Sequence, residues 1–446
     1  AGEPIPGANV FWMNTTNGVT TNEDGNFSIH KPARSHMLVV SFIGFENDTI
    51  HVDKGNQQLD IVLREGVELS EVNVVTRKLG TMKLRTSVMN EDMISSAELT
   101  RAACCNLGES FVTNPSVDVS YSDAATGAKQ IKLLGLSGTY VQMMTENIPN
   151  FRGAAAPYGL GYVPGPWMQS IQVSKGSSSV KNGYESITGQ INVEFKKPQL
   201  PEADWVSANL FASSTNRYEA NADATVKLSK RWSTSLLAHY ENETKSHDSN
   251  DDGFVDIPRV EQYNVWNRWA YMGDHYVFQA GIKALHETRN SGQIAHGNTP
   301  SHDLYEIGIK TNRYEAFTKN AYIFDKEKNT NLALILQGTL HNQDANYGRK
   351  LYDVDQSNFY ASLLFETELS KQHSLSAGLS FNYDGYDQNY RLTNQAEEGL
   401  TKKFVKESVP GAYVQYTFNL NDQLMLMGGI RGDYSSEYGF FVTPRA

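Results

Sequence analysis

The run Phe359-Tyr-Ala-Ser-Leu-Leu-Phe-Glu-Thr-Glu-Leu369, the turn Ser370-Lys-Gln372 and the run Leu375-Ser-Ala-Gly-Leu-Ser-Phe-Asn-Tyr-Asp384 decide the fold class. Phe359, Ala361, Leu363, Phe365 and Leu369 fall on one parity, with Tyr360, Ser362, Glu366 and Glu368 on the other. After the turn, Leu375, Ala377, Leu379, Phe381 and Tyr383 alternate with Ser376, Gly378, Ser380, Asn382 and Asp384. A period of two with one apolar and one small or polar face is the pattern of a strand wetted on a single side. The same alternation holds for Leu332, Leu334, Leu336 and Leu340 against Gln337, Thr339 and His341, and along Tyr276, Phe278, Ala280, Ile282 and Ala284. It dominates the chain from about residue 204 onward, in strands of roughly 9–13 residues, where soluble strands average about five or six.

The connections sort the candidates. Short turns (Ser229-Lys-Arg231, Gly273-Asp274, Ser370-Lys-Gln372, Asn419–Asp422) alternate with mostly longer loops at 244–261, 288–304, 343–356 and 387–406. That places the long loops along one rim of an antiparallel sheet, the asymmetry of outer-membrane barrels. A soluble antiparallel sheet, lectin or propeller is the competing reading. No stretch approaches the roughly 18 apolar residues of a membrane helix, which excludes a helical membrane protein and leaves a barrel open. About eleven strands can be counted, with another beginning at Tyr438–Ala446; an open sheet in lipid would leave costly unpaired edges, so the expectation is a chain truncated within its barrel.

Upstream, two further regimes precede the barrel at 201–446. Residues 1–65 carry Ala8–Trp12, Phe27–His30, Leu38–Phe42 and Asp60–Leu63 between Asn-Gly and Asp-Gly turns, which reads as a small β-sandwich. Residues 66–80 form a linker around the extended segment Glu71-Val-Asn-Val-Val-Thr76. Residues 81–200 read as a Gly-rich mixed domain, with a helix over Ser96–Phe111 and short strands at Lys129–Leu134, Tyr140–Met144, Ser170–Ser174 and Gln190–Phe195. The 446 residues carry a formal charge of −11, which argues against nucleic-acid binding. Two adjacent cysteines exclude a disulfide framework.

Three stretches resemble the TonB-dependent outer-membrane receptors in their Bacteroidetes form. Gly2-Glu-Pro-Ile-Pro-Gly-Ala-Asn-Val10, Gly18–Phe27 and Val40-Ser-Phe-Ile-Gly-Phe45 are similar to the carboxypeptidase-regulatory-like domain preceding many of them. Glu71–Thr76 is similar to the box that pairs with TonB. Glu146-Asn-Ile-Pro149, Ser170-Ile-Gln-Val-Ser-Lys-Gly176, Val180-Lys-Asn-Gly-Tyr184 and Ile187-Thr-Gly-Gln-Ile-Asn-Val193 resemble the plug signature, with Asn147 replacing the usual Gly, Gln172 the usual Glu, and Gly-Tyr reversing Tyr-Gly. The resemblance implies a mainly β protein: a transmembrane antiparallel β-barrel of about 22 strands, roughly half present, an internal α/β plug and an N-terminal β-sandwich. It implies the bacterial outer membrane, TonB with ExbB/ExbD as partner, and energised import of a metal chelate such as a ferric siderophore, haem, cobalamin or copper complex. A surface adhesin or structural barrel is the alternative.

Candidate site residues follow. Glu71, Val72, Asn73, Val74, Val75 and Thr76 would add as a strand to a sheet edge of TonB, with an ordinary linker as the bland reading. Asn147, Arg152, Tyr158 and Tyr162 would form an aromatic and cationic plug apex for a bulky anionic ligand, unless the tyrosines pack on the wall. Asp248, Asn250, Asp252, the Phe254 carbonyl and Asp256, with Gly253 at the sharp turn, match the front of a structural calcium loop; Arg259 stands where an EF-hand needs Glu, and a solvated acidic loop is the alternative. Cys104 and Cys105 with Met143 and Met144 could hold a soft metal, or serve as apolar packing. His247, His296 and His302 lack paired spacing. No nucleophilic triad, P-loop or organic-cofactor motif is present, so an enzyme is not expected.

Overall fold

The computed structural model describes residues 4–13, 18–22, 24–32, 36–42, 48–52, 59–63, 82–83, 90–101, 105–111, 114, 116–136, 138–176, 178–200, 205–294, 304–393, 399–420 and 424–446. Two compact units divide the chain, Ala1–Arg77 and Lys78–Ala446. In the first, β1 (Asn9–Trp12), β2 (Gly18–Thr20), β3 (Met37–Ser41) and β4 (Asp48–His51) form an antiparallel sheet in the order β2-β1-β3-β4. Val10, Trp12, Leu38 and Val40 alternate onto one face and bury there with Val52 and Leu63. Phe27, Ile29, Leu59 and Ile61 pack on the same core. Their segments, expected as strands, carry no strand assignment and contribute side chains alone.

The second unit opens with β5 (Met82–Lys83), β6 (Asn90–Ser95), α1 (Ser96–Arg101), β7 (Val117–Asp123), β8 (Ala128–Leu133), β9 (Val141–Thr145), β10 (Ile148–Pro149), β11 (Met168–Lys175) and β12 (Gly189–Phe195). A six-stranded sheet runs β10-β9-β12-β11-β6-β5, and β7 and β8 make a separate hairpin. β12 is buried at every position, so this sheet is covered on both faces. The expected helix over Ser96–Phe111 is shorter: α1 ends at Arg101, and Leu107–Phe111 is a separate 3-10 turn. Tertiary pairing displaces the helix, because Asn106 bridges Pro164 and the Leu107 N–H donates to the Val163 carbonyl.

Twelve strands follow in strict antiparallel order: β13 (Val206–Ala212), β14 (Arg217–Lys227), β15 (Trp232–Glu243), β16 (Arg259–Met272), β17 (Tyr276–Gly292), β18 (Glu306–Asp325), β19 (Thr330–Tyr347), β20 (Lys350–Ser370), β21 (His373–Arg391), β22 (Thr401–Leu420), β23 (Leu424–Ser435) and β24 (Gly439–Arg445). The count exceeds the expected eleven by the strand that begins at Gly439. The strands are also longer than expected, reaching 21 residues in β20. Residues 343–347 and 350–356, and 387–391 and 401–406, expected as loops, instead extend β19 to β22, and Tyr347 and Lys350 pair across a tight turn in which Gly348 has φ 60°.

Burial in this sheet is inverted relative to a water-soluble protein. The outward parity is apolar and exposed, as at Ile282 (70%), Leu379 (58%) and Leu340 (55%). The inward parity is polar and buried, as at Gln262, Asn264, Thr311 and His341. An apolar exterior around a polar interior is the arrangement of a membrane barrel. Outward aromatics form two tiers. Trp232 touches both Tyr271 and Phe278, and Tyr322 touches Phe324, near the short turns; Tyr240 and Tyr263 meet higher up. About eight residues separate the tiers along a strand, roughly 27 Å, or about 20 Å of membrane depth at a tilt near 40°, close to the apolar band of such barrels. Among the described residues no helix is long and apolar enough to cross a membrane.

Candidate functional site

The inward face of the sheet encloses the mixed domain. Side chains from β14 (Arg217), β16 (Arg268), β18 (Arg313, Lys319), β20 (Gln356, Glu366), β22 (Gln415) and β24 (Arg445) all bond to it. The domain is a plug.

The plug is seated chiefly by a hairpin that the chain builds at some cost. β9 and β10 are joined by Glu146 and Asn147, whose φ values are 50° and 62°. Two positive φ angles in a two-residue connection mark a primed hairpin turn; Asn tolerates that region, Glu less so. Asn147 is exposed and its backbone N–H donates to the Asn192 side chain at 2.8 Å. Glu146 is buried (3%) and receives Arg268, itself 2% exposed, at 2.5 Å, with Lys319 at 3.6 Å. Arg268 also donates to the Lys196 carbonyl at 2.7 Å and lies 4.5 Å from the Trp266 ring centre. Burial alone would raise the Glu146 pKa, but Arg268 and then Lys319 outweigh it and hold the carboxyl below the ordinary range. A second set lies beside it: Arg313 donates to the Asn150 side-chain oxygen at 2.6 Å, and Asn150 donates to Glu315 at 2.9 Å.

The expected apex residues separate into different roles. Arg152 pairs with Glu185 of the plug at 2.7 Å and Asp384 of the wall at 3.2 Å. Burial opposes its charge, and those two carboxylates more than offset that, so the guanidinium stays charged and is already neutralised. Tyr158 is buried, with the Arg289 guanidinium 5.0 Å from its ring. Tyr162 is fully buried, its carbonyl accepting from Asn264 and Lys283, and it presents no surface to a ligand.

A crevice of about 420 Å³ lies beside this apex, between plug residues Gly153–Tyr158 and the long-loop ends of β19 to β22. Its wall side is Gln343, Tyr347, Tyr352, Tyr386, Gln388 and Val405. Gly153, at φ 59°, lets the backbone pass under Tyr386: a Cβ there would fall 2.3 Å from the tyrosine oxygen. The Ala154 N–H donates to Gln356, which donates to Tyr386. None of these wall residues stood among the sequence candidates, since most fall in segments expected to be loops; the alternation of tyrosine and glutamine there was the available signal.

The remaining candidates are placed as follows. Segment Glu71–Thr76, Cys104, His296 and His302 lie outside the described residues. His247 donates from Nε2 to the Thr215 carbonyl at 2.7 Å. In the acidic loop, Asp248 accepts from the N–H groups of Asp252 and Gly253, Asp252 accepts from Phe254, Asp256 accepts from Ser249, and Asn250 bonds Asp252. These carboxylates cap the loop's own backbone, and among the described residues no three His, Cys, Asp or Glu side chains converge on a point that could hold a metal. Cys105 is buried beside Glu219, Arg217 and Glu109, where burial first and Glu219 next push the thiol pKa up. Met143 and Met144 sit on β9 within the plug sheet, Met144 fully buried, so their surroundings are those of core side chains.

Comparison with known proteins places these features. A CarboxypepD_reg-like domain model matches residues 1–75, and a TonB-dependent receptor plug domain model matches residues 83–190. The chain is 26% identical over 233 residues to the TonB-dependent receptor SusC of Bacteroides thetaiotaomicron, covering 49% of this chain and 22% of that protein. It is 36% identical over 75 residues to the TonB-dependent receptor P39 of Formosa agariphila, covering 17% of this chain and 7% of the other. The chain thus spans about a fifth or less of the curated relatives' length. Among solved structures, the alcaligin outer-membrane receptor FauA of Bordetella pertussis superposes with a TM-score of 0.63 at 14% identity, covering 85% of this chain and 63% of that one. The copper transporter OprC gives 0.63 at 13%, covering 80% and 55%. The ferripyoverdine receptor of Pseudomonas aeruginosa gives 0.62 at 15%, covering 82% and 55%. At such identities the likeness is one of fold. With the two domain models in tandem and a membrane-type sheet wrapped around the second, the chain is similar throughout its described part to the TonB-dependent outer-membrane receptors.

Proposed function

We propose that the protein takes up a bulky solute from outside the cell and passes it across the outer membrane with energy delivered by TonB. The single observation that carries this reading is a plug inside the sheet whose side facing β20 to β24 is bonded to the wall by ion pairs and hydrogen bonds, below a crevice at the long-loop rim. In outer-membrane barrels the long-loop rim faces outward, so the crevice meets the solute first. A plug seated by ion pairs and hydrogen bonds can be shifted with water replacing each lost partner, whereas a purely apolar seat would expose surface at about 25 cal/mol per Å². Strand addition by Glu71–Thr76 to TonB, with ExbB/ExbD behind it, is the proposed route by which the shift is driven.

Metal chelates were the cargo expected from the sequence, resting in part on Arg152 as an open cation at the apex. Its pairing with Glu185 and Asp384 removes that support. The import reading itself is tested by Val74→Pro, which denies TonB a backbone N–H donor. Energised uptake by the full-length protein should be abolished while binding at the cell surface persists. Unchanged uptake refutes the coupling role of the segment; binding without any energised uptake in the unaltered protein favours an adhesin.

A further inference from the structure

Two parts of the plug are joined by one ion pair. Segment 151–158 carries Gly153 and Ala154 into the crevice, and segment 178–186 lies against β20 to β24. Among the described residues, the bond between these segments runs from Arg152 Nη2 to Glu185 Oε1 at 2.7 Å. The wall fixes the guanidinium in place: Nη2 also reaches Asp384 on β21 at 3.2 Å, and Asp384 accepts from Asn358 at 3.0 Å. The Arg152 and Glu185 side chains are 21% and 28% exposed, so water screens them less than it does a surface pair.

Each end of the pair is attached to a part of the plug that moves with it. Gly153 follows Arg152 directly at φ 59°, and the Ala154 N–H donates to Gln356 at 3.1 Å. A body that presses on Gly153 and Ala154 therefore displaces the Arg152 backbone with them. At the other end, Glu185 stands between Tyr184, whose ring lies edge-on to Phe441 at 5.2 Å, and Ser186, whose carbonyl accepts from Arg445 at 3.1 Å. Ser179 with Gln415 and Lys181 with Glu366 add to the segment's hold on the wall. A cavity of about 10 Å³, room for one water, lies beside the pair; Pro149, Gly183 and Glu185 line it from the plug, and Tyr360, Asn382 and Arg431 from the wall. Glu185 thus has space into which to shift.

We propose that Arg152 is a positioning residue that couples the crevice to the polar side of the plug: displacement of Gly153 and Ala154 is passed through the Arg152–Glu185 pair to segment 178–186 and loosens its bonds to β20 to β24. Coupling of this kind requires an element with two arrangements. Segment 178–186 supplies it, either bonded to the wall or with water in place of each wall partner. The proposal rests on the import reading above, in which the plug shifts after a solute arrives.

The test is a double-mutant cycle read by hydrogen–deuterium exchange in the full-length protein held in membranes. Gly153→Ala and, separately, Gln356→Ala disturb the apex from two directions, and each should speed exchange of the 180–186 amides about threefold or more. In a Glu185→Gln background, where the pair is already cut, the same substitutions should change those amides by less than about 1.5-fold. Arg152→Gln is a second cut and should give the same outcome. Asp384→Asn leaves the pair between the two segments in place and should preserve the response. A merely structural role for Arg152 would give independent effects that multiply. The proposal is overturned if neither apex substitution reaches the 180–186 amides, if the effects multiply in both cut backgrounds, or if Asp384→Asn abolishes the response as fully as Glu185→Gln. The exchange measurement needs neither TonB nor a solute, so its outcome is separate from that of Val74→Pro. Coupled segments with unchanged uptake in Val74→Pro count against the energised-import reading alone; uncoupled segments with abolished uptake remove this proposal alone.

Discussion

Replacing Glu146 by Gln keeps the shape of the β9–β10 turn and removes one charge. Arg268 is then left 2% exposed against a neutral partner. Breaking a buried pair by removing one member costs roughly 3–5 kcal/mol, because the surviving charge is uncompensated. The lower end applies here, since Arg268 keeps its bond to the Lys196 carbonyl and its place over Trp266, and Lys319 keeps the Glu146 carbonyl at 2.6 Å. A loss of about 3 kcal/mol in the seating of the plug corresponds to about a hundredfold rise in its open population. Hydrogen–deuterium exchange of the β9 and β12 amides reads that population directly, because both strands are interior to the plug sheet and exchange only on opening. The double variant Glu146→Gln/Arg268→Met should recover most of the protection, as an apolar chain replaces an orphaned charge. Exchange at the unaltered rate in the single variant would refute the reasoning, as would a double variant that opens as readily as the single one.

Other expectations follow from the same geometry. Because the folded-state pKa of Glu146 is depressed, its contribution is complete at neutral pH and is lost as pH falls below the ordinary carboxylate value near 4; β9 exchange should therefore accelerate on acidification and be insensitive between about pH 6 and 8. Trp167→Ala empties a fully buried site packed on Trp266 and His239, and should cost about 3–5 kcal/mol, read as faster proteolysis of the plug in intact barrels. Gly153→Ala combines a φ of 59° with a Cβ 2.3 Å from the Tyr386 oxygen, so it should displace Tyr386 and reshape the crevice, visible in a crystal structure of the variant. Millimolar calcium should raise the melting temperature by less than about 2 °C, since the carboxylates of the 248–256 loop already cap its backbone N–H groups; a larger rise would show that the loop reorganises around the ion.

Alternation made the membrane-spanning part of the sheet legible because lipid and lumen differ so sharply in polarity. Leu375 to Tyr383 advertises its parity residue by residue. The same strands became illegible above the membrane. Asn342, Asp344 and Asn346 on β19, and Asp353 and Asp355 on β20, meet water on what would have been the lipid face, so the contrast disappears while the hydrogen-bond ladder continues. Hence 343–356 reads as loop and folds as hairpin, and the crevice wall it carries was not visible in advance. The seat of the plug was hidden for a different reason. In sequence Arg268 and Lys319 look like ordinary strand charges, and only the closed geometry reveals that their parity faces inward. Glu146 stands in sequence as part of a turn signature, which says nothing of the charge it brings to the wall.

The plug is not held equally on its two sides. Toward β15 to β19 its core is continuous with the wall: Trp167, Phe195, Tyr162 and Val163 share one buried cluster with Leu237, Trp266, Leu285, Ile307 and Ile309. Toward β20 to β24 the bonds found are polar: Ser179 with Gln415, Lys181 with Glu366, Arg152 with Asp384, and Arg431 and Arg445 reaching the carbonyls of Val180, Ser178 and Ser186. Separating the first side exposes apolar surface, and the penalty grows with area. Separating the second breaks one small ring contact, Tyr184 on Phe441, and exchanges hydrogen bonds for water at a net cost of about 1 kcal/mol for a neutral bond and about 1.5–3 for one to a charged group. A force applied to the plug from its N-terminal end would therefore free the 178–186 side first and leave the Trp167 side as the pivot. The crevice lies over the polar side's neighbours, β19 to β22, so the first gap to open under load is the one beside it.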